Sequence, residues 1–200
     1  VRDEVEKILL TRSPEMVYTL IELGLLDAFL KKRMPEPWRL HRLGSIQRKA
    51  MPRWAALCCA LEKFGCIDSA EEFLTALRLD SRTIRCCSNA AVLVKQQKPA
   101  DKAAWKRALC AYGVDSVSCA AQCYDAFSGG GSARELRAVL KSGECFSMKH
   151  LAVTGDDLLE LGLRGRELGD MLRFLLDYVM EYPANNRREL LLTLARGTEE

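Results

Sequence analysis

Histidine is nearly absent from this 200-residue sequence, which contains only His41 and His150. Neither is followed by an aspartate, so the His-Asp pair of metal-dependent phosphohydrolases is missing. No Ser-His-Asp or Cys-His arrangement suggests itself, because both need a histidine base beside the nucleophile. These absences argue against hydrolase chemistry that depends on histidine.

Long apolar runs are also lacking, since none approaches the roughly 20 residues that span a bilayer. The first ten residues, VRDEVEKILL, carry too many charges for a signal peptide. We therefore expect a cytoplasmic protein without a membrane-spanning segment.

Carboxylates placed to hold two catalytic Mg²⁺ ions are missing as well. Two-metal phosphoryl chemistry needs such acids in a fixed constellation. Asp156 and Asp157 are adjacent instead, and they lie at a predicted helix start, where the helix dipole favours acidic side chains. We expect this chain to have no catalytic residues and no metal site, and to be inactive on its own.

Cysteine, in contrast, is abundant, with nine residues. Their number is odd, no secretory signal precedes them, and most lie among Ala, Leu and Val, which predicts reduced, buried thiols that pack as small hydrophobes. Cys119 and Cys123 are one helical turn apart and suggest zinc as an alternative. However, no paired CxxC knuckles or histidine ligands stand nearby, and structural zinc sites require them.

Basic residues are concentrated in the first half of the chain. Residues 31–53 contain eight Lys or Arg and one Glu, and residues 78–107 contain eight Lys or Arg and two Asp. Residues 154–200, in contrast, contain six Arg and ten acids. Clustered cations are typical of a polyanion partner, although a solvated basic face is the alternative. Trp38, within the first basic segment, either stacks on a base or anchors its loop to the core.

The periodicity of apolar residues predicts an all-α protein, an elongated array of about ten to twelve short helices without a significant sheet. Gly113 separates two predicted helices, and the SGGGS segment at 128–132 is the clearest linker. This segment lacks the strand before it and the Gly-Lys-Ser/Thr after it that a phosphate loop requires. We predict four segments: 1–30, a helical body at 31–127, a linker with a short helix at 128–147, and a helical tail at 148–200.

Residues 151–191 read as helix, glycine turn, long helix, turn and helix. Thr154 and Asp157 form an acidic variant of the capping box. Gly162 and Gly165 bracket the turn, and we expect Gly169 to let another backbone come close. The amides near Gly165 begin a helix and have no partner within it, so they offer an anion site, although glycines that merely allow close packing are the alternative. The predicted apolar face of the long helix is Leu168, Met171, Leu172, Leu175, Leu176, Val179 and Met180.

This tail resembles that of bacterial CCA-adding tRNA nucleotidyltransferases and their poly(A) polymerase relatives. The matching residues are Gly155, Asp157, Leu158, Gly162, Leu163, Gly165, Leu168 and Gly169, then Asn185, Arg187 or Arg188, Glu189, Leu190 and Leu191. Many family members have a proline near the second glycine, where this chain has Arg164 and Arg166. The neck of the same family is matched by Arg2, Glu4, Lys7, Ile8, Leu9, Leu20, Glu22, Leu23, Gly24, Leu25 and Leu26, and its body by Leu77, Arg78, Leu79, Asp80 and Ile84.

The resemblance implies that this chain is the C-terminal part of such an enzyme, comprising the end of the neck, the body and the tail. In that family these regions grip the acceptor and T arms of tRNA, while the head holds Mg²⁺ and CTP or ATP and adds nucleotides. The same region of a poly(A) polymerase relative and a helical protein-interaction module are the alternatives. The residues expected to contact RNA are Arg39, Arg42, Arg48, Lys49, Arg53, Arg82, Arg85, Arg164, Gly165 and Arg166.

Overall fold

The computed structural model describes residues 1–36 and 40–197, and this part of the chain is all-α, as predicted. It has no β-strand there, and one of its ten helices is broken at Gly113. The helices are α1 (Arg2–Leu9), α2 (Val17–Glu22), α3 (Ala50–Lys63), α4 (Ala70–Ala76), α5 (Ser81–Lys95), α6 (Lys102–Ser128), α7 (Ser132–Lys141), α8 (Gly155–Glu160), α9 (Gly165–Glu181) and α10 (Arg188–Gly197). Short 3₁₀ turns lie at Pro14–Met16, Asp27–Phe29, Leu40–Ser45, Met148–His150 and Pro183–Asn185. None of the described helices is long and apolar enough to cross a membrane.

The chain divides into two compact units that are each discontinuous in sequence. Unit 1 comprises Val1–Lys98 and Tyr112–Leu136, and unit 2 comprises Pro99–Ala111 and Arg137–Glu200. Helices α6 and α7 therefore each contribute residues to both units. In α6 the change of unit comes next to Gly113, whose φ of 77° is in the left-handed region that favours glycine.

Unit 1 is organised around α3, which is buried along most of its length. Small residues between Ala55 and Ala60 let α5 pack closely along α3, and α4 packs against both helices. Trp54 is fully buried, yet its indole N–H has a partner because it donates to the Glu6 carboxylate at 2.9 Å. This bond ties α1 to α3 and satisfies a polar group that would otherwise be costly to bury.

Unit 2 is built on the apolar face of α9, as the periodicity predicts. Leu175, Leu176, Val179 and Met180 are buried, and the remaining predicted residues of this face pack against them as partly buried hydrophobics. The first turns of α6 contact the C-terminal end of α9. There the buried ammonium of Lys106 donates to the Met180 carbonyl at 2.8 Å and forms an ion pair with Glu144 at 2.5 Å.

Two predictions about local structure need correction. No backbone from another element comes close to Gly169 among the described residues, because a Cβ at this position would have only a guanidinium nitrogen of Arg173, in the same helix, within 4 Å, at 3.7 Å. Eight cysteines are buried thiols, as expected, but Cys110 is exposed. Cys119 lies beside Cys86, at an Sγ–Sγ distance of 3.7 Å, and Cys123 lies close to Cys59, so each of the two thiols has a different neighbour.

The predicted capping box at the start of α8 is confirmed. The Thr154 hydroxyl accepts from the Asp157 amide at 3.3 Å, and the Asp157 carboxylate accepts from the Thr154 amide at 2.7 Å. Arg188, at the first turn of α10, adds a 2.5 Å ion pair to the same carboxylate. The cap therefore links α8 to α10 and fixes the turn that leads into α9.

Replacing Thr154 with alanine should lower the free energy of unfolding by about 1 kcal/mol, because the hydroxyl loses its bond from the Asp157 amide and its 2.8 Å bond to the Asp157 carboxylate. Urea denaturation followed by circular dichroism measures this change. Thr193→Ala is the matched control, since the Thr193 hydroxyl bonds only to a carbonyl of its own helix, and it should cost less than about 0.5 kcal/mol. Equal effects of the two substitutions would contradict the role of the cap.

The Asp157 carboxylate should make unit 2 sensitive to acid. The Arg188 ion pair, supported by bonds from Thr154, lowers the pKa of Asp157 from 3.8 to about 2. A depressed pKa contributes stability that is present above about pH 4 and disappears as the pH falls through about 2. Urea midpoints measured between pH 5 and pH 2, which bracket these pKa values, should therefore fall more steeply for the natural chain than for Asp157→Asn. Parallel pH profiles would refute this account.

Candidate nucleic-acid interface

Two long helices, one in each unit, begin at basic residues. Lys49 occupies the N-cap position of α3 and Arg164 that of α9, and neither side chain caps its helix. By contrast, Ser69, Asp80 and Thr154 cap α4, α5 and α8 through side-chain oxygen atoms. An oxygen acceptor stabilises a helix start, whereas a cation there is repelled by the positive end of the helix dipole. The basic residues at α3 and α9 are therefore not explained by helix stability.

The start of α9 is an exposed turn with three of the predicted RNA-binding residues. Gly165 has a φ of 54°, and the preceding Arg164 is extended. The Arg166 side chain is 93% exposed and has only a loose contact to Asp170, at 3.5 Å. Arg164 is exposed and forms no ion pair within the described ranges. Free amides and two accessible guanidinium groups thus lie at one helix end, which is an arrangement that suits an anion.

The start of α3 has a similar surface composition. Lys49 is exposed and has no ion pair in the described part of the chain. The Arg48 guanidinium donates through Nε to the carbonyl of Leu10, which leaves its other N–H groups available at the surface. The hydrogen bond orients Arg48 beside Lys49 without neutralising its charge.

Arg53 is not a surface cation, and its side chain is not available for the RNA contact that the sequence predicts. Its side chain is only 3% exposed, and its guanidinium donates to the carbonyls of Leu9, Thr11 and Ile46. Burial, assisted by the nearby charge of Arg48, lowers the pKa of Arg53. The sequence pattern misled because a basic segment does not reveal which of its arginines serve as internal hydrogen-bond donors.

The remaining predicted residues of unit 1 differ in availability. Arg42 and Arg85 are exposed and have no ion pair in the described residues. Arg82 is exposed too, but it forms an ion pair with Asp115 at 2.6 Å, which reduces the net charge there. Arg39 and the neighbouring Trp38 lie outside the described residues, so their predicted roles stay predictions.

Arg12 is a candidate that the sequence did not suggest. It is exposed, has no ion pair within the described ranges, and follows Thr11, whose carbonyl accepts from Arg53. Folding therefore brings Arg12 close to the start of α3, although it lies 37 positions before Lys49 in the sequence. Neither spacing nor composition signals this proximity, because it results from the bonds that Arg53 makes to the segment after α1.

The described residues do not fit a catalytic metal. Among residues 1–36 and 40–197, no three His, Cys, Asp or Glu side chains come together in a way that could hold an ion. Asp156 and Asp157 lie in the first turn of α8, and Asp157 is engaged by Thr154 and Arg188. We derive no reaction step for this chain through Mg²⁺.

Residues 48–195 match the sequence model of a family described as "tRNA nucleotidyltransferase domain 2 putative". The match includes most of the chain and both basic helix starts. The chain belongs to this family. No curated protein matches the sequence.

The fold is also that of a known structure. The chain is similar to the crystal structure of the Bacillus stearothermophilus CCA-adding enzyme in complex with CTP, with a TM-score of 0.76 and 21% sequence identity. The match covers 98% of this chain and 51% of that chain. At this identity the likeness shows a shared fold, and the present chain spans about half the length of that enzyme.

Arg53 should be a stability residue, in contrast to its surface neighbour. Arg53→Met removes the donors of three carbonyls and should lower the free energy of unfolding by about 2 kcal/mol or more. The matched control Lys49→Met should change it by less than about 0.5 kcal/mol. Urea denaturation measures both, and equal effects would contradict the internal role of Arg53.

Proposed function

We propose that this chain is the tRNA-binding part of a tRNA nucleotidyltransferase and that it grips the backbone of the acceptor and T arms. The supporting observation is the pair of basic, uncapped helix starts, at Lys49 of α3 and Arg164 of α9. Family membership supplies the substrate class. The addition of nucleotides, together with Mg²⁺ and CTP or ATP, is assigned to a head that is not part of this chain.

The proposed mechanism is recognition of shape and charge. The major groove of an A-form helix is too narrow for side chains to read its bases, so duplex RNA is recognised largely through phosphates and 2′-hydroxyls. Exposed cations with few carboxylate partners suit this mode. The proposed contacts are Arg12, Arg42, Arg48, Lys49 and Arg85 in unit 1, and Arg164, Gly165 and Arg166 in unit 2, with Arg82 available if its bond to Asp115 is exchanged for a phosphate.

The first test is binding of tRNA to this chain at several salt concentrations, with an acceptor–T-arm minihelix and poly(A) as competitors. We expect the minihelix to compete as well as whole tRNA, and the affinity to fall steeply with salt because counterions are released from phosphates. Preferential competition by poly(A) would favour a poly(A) polymerase relative. A chain that binds neither RNA at low salt would favour the protein-interaction module and would contradict the proposal.

The helix start of α9 is tested by the double substitution Arg164→Glu and Arg166→Glu. We expect tRNA affinity to fall by about a hundredfold or more, since two charge-assisted contacts of roughly 1.5–3 kcal/mol each are lost. The matched control is Arg137→Glu with Lys149→Glu, which makes the same change in charge at exposed sites of unit 2. If both variants weaken binding equally, only net charge matters and the turn at Gly165 has no specific role.

The helix start of α3 is tested by Arg12→Glu with Lys49→Glu. Both residues are exposed, so the fold should tolerate the change. The slope of log affinity against log salt should flatten by about one unit for each phosphate contact that is lost. An unaltered slope with unaltered affinity would remove this end of α3 from the interface.

A further inference from the structure

The core of unit 1 contains a close pair of thiols on neighbouring helices. Cys86 lies on α5 and Cys119 on α6, and their Sγ atoms are 3.7 Å apart. Each residue is 3% exposed. Free cysteines are common in cores, where they pack as small hydrophobes. This packing role does not require a second thiol next to the first. The juxtaposition suggests chemistry that two sulfur atoms carry out together.

The surroundings of the two sulfur atoms are unequal. Cys86 lies beside Cys119 and near the Ser116 hydroxyl, and the ion pair between Arg82, one turn before it in α5, and Asp115 is also close to it. The hydrogen bond with Cys119 is the main cause that lowers the pKa of Cys86, whereas the same bond and burial raise that of Cys119. A lowered pKa increases the thiolate fraction of Cys86, and the thiolate is the nucleophile in thiol oxidation.

A second thiol pair in the same core lacks these features. Cys123 lies close to Cys59, and both residues are buried. The pKa of Cys123 is raised by its neighbour Cys59 and by burial, and no cation is among the groups that act on it. The pair Cys59–Cys123 therefore serves as an internal reference for the effect of the Arg82 and Ser116 environment.

We propose that Cys86 and Cys119 form a peroxide-sensitive dithiol, in which Cys86 is oxidised first and Cys119 resolves the product into a disulfide between α5 and α6. In the first step the Cys86 thiolate attacks a peroxide oxygen, the O–O bond breaks, and a sulfenic acid and hydroxide or alkoxide form. In the second step the Cys119 sulfur attacks the sulfenic sulfur and water leaves. The peroxide accepts two electrons, and the two thiols supply them.

Burial determines which oxidants can act. Hydrogen peroxide is small, while a disulfide such as oxidised glutathione must bring a bulky group to the attacking sulfur. Because both residues are almost fully buried, the pair should resist oxidised glutathione, whereas hydrogen peroxide is small enough to reach it. Cys110 is the exposed thiol that would react with either reagent, so it is best replaced by serine throughout.

The experiment treats the folded Cys110→Ser chain with hydrogen peroxide and maps disulfides by mass spectrometry of non-reduced peptides. We expect a single cross-link between residues 86 and 119, a mass loss of two hydrogen atoms, and two fewer free thiols after denaturation. Oxidised glutathione should give neither product. The Cys123→Ser variant should still form the cross-link, because the thiol that it removes belongs to the Cys59–Cys123 pair.

Two further variants separate the roles of the two sulfur atoms. In Cys119→Ser the reaction should stop at a sulfenic acid on residue 86, which a dimedone-type reagent labels, and in Cys86→Ser residue 119 should stay unmodified. Thermal melting of the reduced variants shows whether each is folded before oxidation. A cross-link between residues 59 and 123 in place of 86–119, or sulfenic labelling at residue 119 of Cys86→Ser, would overturn the proposal. So would an unreacted pair in the folded Cys110→Ser chain.

Discussion

The buried guanidinium of Arg53 is the interaction on which the arrangement of unit 1 depends most. It projects from the first turns of α3 and donates to carbonyls of Leu9, Thr11 and Ile46, which belong to two separate segments of the chain. An unpaired buried arginine would be strongly unfavourable, so these three acceptors must be in place when α3 packs. The same bonds hold the segment around Arg12 next to the start of α3 and thereby gather surface cations from distant parts of the sequence.

A comparable role is played in unit 2 by Lys106 and Arg107. Lys106 is buried and donates to the Met180 carbonyl near the end of α9, while Arg107 pairs with Asp177, at 2.7 Å, and with Glu181. A cation at the end of a helix interacts favourably with the dipole and with the last carbonyls. Basic residues are therefore used in two opposite ways along α9, with a structural role at its end and a proposed binding role at its start.

Much of the fold could be predicted from sequence, because periodicity and capping are local. The apolar face of α9, the caps at Asp80 and Thr154, and the interruption at Gly113 all follow from residues within a few positions of each other. The candidate site was less predictable. Arg48, Lys49 and Arg53 lie within one basic segment, yet their roles differ. Arg53 is an internal hydrogen-bond donor, Arg48 donates to the Leu10 carbonyl, and Lys49 is free of ion pairs in the described chain. Their roles depend on carbonyls far away in sequence, which composition does not report.

The two units alternate along the sequence, and this limits where the chain can be cut into fragments that fold. A tail fragment cut at residue 148 would keep α9 but lose Pro99–Ala111, and with it the ammonium and guanidinium that bind the end of that helix. A body fragment ending at Lys98 would lose Tyr112–Leu136, including the half of α6 that bears Cys119 and Cys123. Neither piece contains a complete unit, so limited proteolysis or recombination at these loops would yield fragments that need each other to fold.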